Sequence, residues 1–133
     1  VNKALTESGA DGVMIGRGSY GRPWFLAQVA SHLRGEAPTA DPSLEVERDT
    51  LLEHYEDMLN IYGADAGMRV ARKHIGWYSS GLFDSAIYRQ HINTLTDPAL
   101  VKQAISDFYE RVQHKPMTDG THASEDDSCE LAA

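Results

Sequence analysis

Three glycines, Gly16, Gly18 and Gly21, follow directly after a short apolar run at residues 13–15. Glycine permits a tight turn, and a turn that leads into a helix leaves backbone N–H groups without partners. Such amides bind anions, most naturally a phosphate. The Gly-x-Gly-x-x-Gly spacing is also that of dinucleotide-binding loops, but no second strand with an acidic residue follows about 20 residues later. The pattern therefore predicts either a phosphate-binding turn or an ordinary glycine-rich loop.

A second candidate site is a run of cations, Arg69, Arg72 and Lys73, at the i, i+3 and i+4 spacing of one helix face. Trp77 and Tyr78 follow one turn later. Cations beside aromatic rings suit RNA, because phosphates take the charge and exposed bases stack on the rings. Two alternatives remain open. The arginines could pair with an acidic helix that precedes them, and Trp77 could belong to the core.

Composition limits the other chemistry that this chain can perform. Its 133 residues carry a net charge of −8 and a single cysteine, Cys129, so no disulfide can form within the chain and a reducing cytoplasm is predicted. The six histidines have no ligand spacing, and no metal site is predicted. No apolar run approaches the ~20 residues that span a bilayer, so no membrane association is expected. The acidic balance argues mildly against a dedicated nucleic-acid module.

The first part of the chain must position the glycine turn. Residues 1–8 read as the end of a helix that stops at Gly9, and residues 13–15 as a strand buried on both faces. A helix at residues 23–33 begins with Pro23 at its first position. One short strand cannot satisfy its own hydrogen bonds, so this strand requires partner strands that the sequence does not contain. Residues 36–41 are a predicted linker.

The second part of the chain must position the cations, and its patterns are helical throughout. Amphipathic helices are predicted at residues 42–62, 64–78, 84–92 and 97–112, the third with Ile87 and Tyr88 facing inward. Short turns between them indicate a small antiparallel helical bundle at residues 42–113. The acidic, aperiodic residues 114–133 are predicted to be disordered.

Two blocks of sequence resemble the tRNA-dihydrouridine synthase family, close to its bacterial B-type branch. The first reads GADGVMIGRG at residues 9–18 with GRPW at residues 21–24, and the second reads RKHIGWY at residues 72–78. The resemblance covers roughly residues 1–113 in the family's order. It implies a mostly α-helical fragment: the terminal strand and helices of a (β/α)₈ flavin barrel at residues 1–35, then a helical tRNA-binding domain.

The resemblance also implies the ligands. The family uses FMN and NADPH to reduce uridine in tRNA, with Gly16 and Arg17 holding the FMN phosphate through backbone N–H groups and Gly18 providing the turn. Arg69, Arg72 and Lys73 are then the candidate tRNA contacts. Cys129 does not match the family's catalytic cysteine, so no catalytic residue is predicted and the chain alone should be inactive. The alternatives are a barrel flavoenzyme for a small metabolite and a helical module that only braces a barrel.

Overall fold

The computed structural model describes residues 1–114, and these residues are mostly helical, which confirms the predicted class. Within that range the elements are α1 (Asn2–Ser8), a 3₁₀ turn (Arg17–Ser19), α2 (Phe25–Leu33), α3 (Leu44–Tyr62), α4 (Ala64–Tyr78), α5 (Ser85–Thr94) and α6 (Pro98–His114). Residues 115–133, with Cys129 and nearly all of the predicted acidic tail, lie outside the described residues.

The predicted strand at residues 13–15 is not formed, and residues 1–114 contain no strand. Met14 is 90% exposed and Val13 is 36% exposed, so neither lies in a core. A strand exists only when a neighbouring backbone accepts and donates its hydrogen bonds, and no described residue offers one here. The expectation of a buried strand was therefore wrong for the described residues.

Two helices begin later than their prolines predict. The helix predicted from Pro23 begins at Phe25, because residues 19–25 form consecutive turns in which the Arg22 N–H donates to the Ser19 carbonyl and the Phe25 N–H to the Arg22 carbonyl. The helix predicted from residue 42 begins at Leu44, with Ser43 as its N-cap and the Ser43 Oγ accepting from the Val46 N–H at 3.4 Å.

The remaining boundaries lie close to prediction. Helix α4 covers the predicted residues 64–78, and α3 ends at Tyr62 with Gly63 as its C-cap. Helix α5 extends two residues past its predicted end, to Thr94.

The predicted inward position of Ile87 is wrong, since that side chain is 66% exposed, whereas Tyr88 is buried. Tyr88 and Ile92 share the inner face at i and i+4 spacing, and Ile87 is turned about 100° away from it.

The core is built by α3 to α6. Every buried hydrophobic side chain of the described residues lies between residues 51 and 109: Leu51, Tyr55, Met58, Met68, Ala71, Ile75, Tyr78, Tyr88, Ile92, Val101, Ala104, Ile105, Phe108 and Tyr109. Helices α3 and α4 approach closely at Gly67, where a Cβ would lie 2.8 Å from the Met58 carbonyl oxygen. Residues 1–43 reach this core mainly through Trp24, which packs against it.

Candidate functional site

The glycine turn presents unused backbone donors. The 3₁₀ turn is closed by the Ser19 N–H, which donates to the Gly16 carbonyl at 3.1 Å, and by the Tyr20 N–H, which donates to the Arg17 carbonyl at 3.2 Å. The amides of Gly16, Arg17 and Gly18 donate to no acceptor within residues 1–114. Three successive free amides are donors of the kind that bind a phosphate. The turn therefore fits a phosphate chemically.

The space around the turn is also open. A Cβ added at Gly16 would meet nothing within 4 Å, and one added at Gly18 would meet only Phe25 Cε1 at 3.8 Å. Arg17 itself is exposed. The Cα positions of Gly16 and Gly18 are therefore not packed closely against any other part of the described chain.

Gly21 has a different role from the two glycines before it. It is buried at φ +71°, and a Cβ there would lie 2.4 Å from the carbonyl carbon of Trp77 and 2.7 Å from the Tyr78 nitrogen. No residue with a side chain fits this position without movement of the backbone. Gly21 thus lets the turn dock on the C-terminal end of α4. Sequence reasoning missed this contact because it treated the three glycines as parts of one turn.

Trp77 joins the turn to the cationic helix. Its indole stacks on Tyr20, with ring centroids 4.1 Å apart and planes inclined by 20°. The Nζ of Lys73 lies over the same indole, 5.1 Å from its centroid, and the His74 ring meets it edge-on at 4.9 Å. Trp77 is only partly buried. Its side chain therefore lies at the contact between α4 and the turn and not in the centre of the core.

The three cations of α4 have different surroundings. Arg69 and Lys73 are exposed, and neither forms an ion pair within residues 1–114. Arg72 is partly buried, and its Nη2 donates to the Leu95 carbonyl at 3.1 Å, which ties α4 to the end of α5. The alternative that an arginine pairs with acidic α3 is not realised among the described residues. Glu56 of α3 pairs instead with Lys102 of α6.

A pair of partly buried histidines lies next to the cations of α4. The rings of His54 on α3 and His74 on α4 meet edge-on, with centroids 4.8 Å apart. Burial lowers the pKa of His74 from its ordinary value of 6.5, and the neighbouring His54 and Lys73 lower it further. The shift favours the neutral form of His74.

Asp41 fastens the start of α2 to the predicted linker. Its Oδ1 accepts hydrogen bonds from Arg22 Nη2 at 2.8 Å, Gln28 Nε2 at 3.0 Å and Trp24 Nε1 at 3.2 Å. The hydrogen bonds from Gln28 and Arg22 hold the pKa of the Asp41 carboxyl below its usual value. Trp24 in turn contacts Tyr78 of α4 edge-on, with centroids 6.2 Å apart. Both tryptophans of the chain therefore lie where residues 20–24 meet α4.

Other kinds of site receive no support within residues 1–114. No three His, Cys, Asp or Glu side chains come together there as metal ligands. None of the helices described is long and apolar enough to cross a membrane.

Comparisons with known proteins identify the family of this chain. The family model described as dihydrouridine synthase (Dus) matches residues 1–113. A "Probable tRNA-dihydrouridine synthase" of Rickettsia conorii is 47% identical over 110 residues, which cover 83% of this chain and 33% of that protein. The tRNA-dihydrouridine synthase B of Xanthomonas campestris is 40% identical over 108 residues, covering 81% and 32%. That of Pasteurella multocida is 35% identical over 105 residues, covering 79% and 32%.

The chain belongs to the dihydrouridine synthase family. It spans about a third of the length of the curated relatives it matches.

Proposed function

We propose that this chain contributes the C-terminal part of a tRNA-dihydrouridine synthase, which reduces uridine in tRNA to dihydrouridine. The observation that supports this most is the docking of the glycine turn on the cationic helix α4 through Gly21 and Trp77. The proposed phosphate site and the proposed RNA surface would then lie on the two sides of one contact. Residues 1–35 would form the end of a (β/α)₈ barrel, and residues 42–113 a helical tRNA-binding domain.

The amides of Gly16 and Arg17 would hold the phosphate of FMN, with Gly18 allowing the turn. Bound FMN would supply the hydride that reduces the uracil ring, with NADPH as the source of electrons. The residues of this chain would bind and orient, and no catalytic residue is assigned among them. We expect the chain alone to have no reductase activity.

The phosphate turn can be tested by amide NMR. Addition of FMN to the ¹⁵N-labelled chain should shift the amides of Gly16, Arg17 and Gly18, and inorganic phosphate should shift the same three. Riboflavin, which lacks the phosphate, should leave them unchanged. Binding should be weak, because the turn contacts only the phosphate. Equal shifts with riboflavin, or no shift at these amides, would refute the assignment.

The exposed cations of α4 would contact the phosphates of tRNA. Arg69 and Lys73 are free of ion pairs in the described structure, and Arg72 retains donors that are not used by Leu95. The net charge of −8 opposes RNA at long range, but at ~0.15 M salt the screening length is about 8 Å. Short-range contacts therefore decide affinity.

A tRNA gel shift tests this function. The wild-type chain should retard tRNA, and the triple variant Arg69→Glu, Arg72→Glu, Lys73→Glu should not. Arg111→Glu on α6 is the control for an exposed cation reversed elsewhere, since Arg111 forms no ion pair within residues 1–114. If the triple variant keeps its helical circular dichroism and still retards tRNA like the wild type, α4 only braces the barrel. A metabolite flavoenzyme would show no retardation with any variant.

A further inference from the structure

Tyr20 presents an aromatic ring to solvent from a fixed position. One face of the ring is stacked on Trp77 at 4.1 Å, yet the residue is 47% exposed. Its backbone N–H donates to the Arg17 carbonyl, and its neighbour Gly21 lies against the backbone of Trp77. Trp77 covers one face of the ring, and nearly half of the residue remains open to solvent. The ring is therefore ordered before any partner binds.

The surroundings of this ring are cationic. The Nζ of Lys73 lies 5.1 Å from the indole centroid of Trp77, and the Tyr20 ring centroid lies 4.1 Å from the same point, so Nζ and the Tyr20 centroid are no more than about 9.2 Å apart. Arg69, one helical turn before Lys73, is also exposed. An exposed aromatic face beside unpaired cations matches an unpaired nucleotide, whose base stacks while its phosphate takes the charge.

We propose that Tyr20 is a stacking platform for an unpaired base of the bound tRNA, with Lys73 contacting the adjacent phosphate. This rests on the RNA binding proposed above and extends it from α4 to the glycine turn. Stacking of one base on an aromatic side chain stabilises binding by about 1–3 kcal/mol, or about 5- to 150-fold in affinity. It depends on the base being present and adds no charge contact.

The test compares a short single-stranded RNA with the same RNA made abasic at its unpaired positions, by fluorescence anisotropy at fixed salt. The wild-type chain should bind the RNA with bases at least about 5-fold more tightly. Tyr20→Leu keeps an apolar side chain over Trp77 but removes the aromatic face, so it should weaken binding of the RNA with bases about 5-fold or more. The same substitution should leave abasic binding unchanged. Tyr20→Phe keeps the ring and should behave like the wild type.

The outcomes separate this inference from the function it rests on. If the wild type binds both RNAs equally, or Tyr20→Leu weakens abasic binding as much as binding of the other RNA, the stacking platform is overturned while RNA binding stands. If the wild type binds neither RNA, both proposals fall. The slope of affinity against salt should be the same for Tyr20→Leu and the wild type, and a smaller slope for Tyr20→Leu would also contradict stacking.

Discussion

Gly21 lies directly against the backbone of Trp77, 56 positions further along the chain, and this contact joins the glycine turn to the cationic helix. The approach is so close that only a residue without a Cβ fits. Tyr20 and Trp24, on either side of Gly21, both pack on the last turn of α4, at Trp77 and Tyr78. The contact therefore joins two segments that are remote in sequence.

Gly21→Ala should weaken this junction by about 2–4 kcal/mol, because it adds both left-handed strain and overlap with Trp77. Trp24 and Trp77 both lie at the junction, so the urea midpoint measured by tryptophan emission should fall. The control is Gly35→Ala, which has a similar φ of +73° but no atom within 4 Å of the added Cβ. It should lose only about 1 kcal/mol, from strain. Equal losses in the two variants would show that the close approach has no energetic weight.

The hydroxyl of Tyr109 donates to Glu47 Oε1 at 2.8 Å and links α6 to α3. Burial raises the pKa of Glu47 above its ordinary value of 4.5, and this hydrogen bond opposes the rise. Tyr109→Phe should raise the pKa of Glu47 further. When folding raises a carboxyl pKa, the protonated carboxyl adds stability at pH values below the pKa of the unfolded chain. That stability is lost as the pH rises through the pKa of the folded chain. The loss from Tyr109→Phe should therefore be about 2 kcal/mol at pH 7 and about 1 kcal/mol at pH 4.

Tyr55→Phe provides the comparison for that experiment. The Tyr55 hydroxyl donates to the uncharged Pro98 carbonyl at 3.3 Å. The stability lost in Tyr55→Phe should therefore be the same at both pH values. Urea unfolding of both variants and the wild type at pH 4 and pH 7 gives the four differences. A loss from Tyr109→Phe that does not grow with pH would contradict the account of Glu47.

Acid should destabilise the contact between His54 and His74. The pKa of His74 lies below its ordinary value of 6.5, so the unfolded chain takes up a proton at a higher pH than the folded one. Stability is then fully present above about pH 6.5 and is lost as pH falls through the folded pKa. NMR titration of the His74 ring should give a pKa under 6.5, and His74→Gln should flatten the stability profile between pH 7.5 and 5. A His74 pKa at or above 6.5 would contradict this.

Hydrogen exchange should separate the two parts of the chain. Amides around Leu51, Tyr55 and Phe108 lie in long helices with buried side chains and should be strongly protected. Residues 13–15 have no regular structure and should exchange at the rate of an unfolded peptide. Equal protection in both regions would mean that the amides of residues 13–15 are hydrogen-bonded in solution, which would contradict the exposed, irregular segment.

The parts of the fold that sequence predicted are the local ones. The end of α3 before Gly63 and the extent of α4 follow from neighbouring residues, because a glycine stop and a 3.6-residue period act within a few positions. The start of α3 was misplaced by two residues, because Ser43 caps the helix while the preceding Asp41 accepts hydrogen bonds from Arg22, Trp24 and Gln28. A competing long-range partner decided that boundary.

The candidate site was predictable in composition but not in arrangement. The spacing of Arg69, Arg72 and Lys73 defined a cationic face, yet nothing local separates Arg72, which bonds the Leu95 carbonyl, from the two exposed cations. Nor does a single sequence show that Tyr20 stacks on Trp77. Both contacts depend on how separate elements pack, and that packing is set by the whole core.

The most direct test of the central proposal is the salt dependence of tRNA binding by this chain. Each phosphate neutralised on single-stranded RNA contributes about −0.7 to the slope of log K against log salt, so contacts from Arg69, Arg72 and Lys73 predict about −2. Lys73→Ala should reduce the magnitude by about 0.7, whereas Lys102→Ala, which removes an equal charge from α6, should leave the slope unchanged. Slopes for Lys73→Ala and Arg69→Ala equal to that of the wild type would contradict RNA binding by α4.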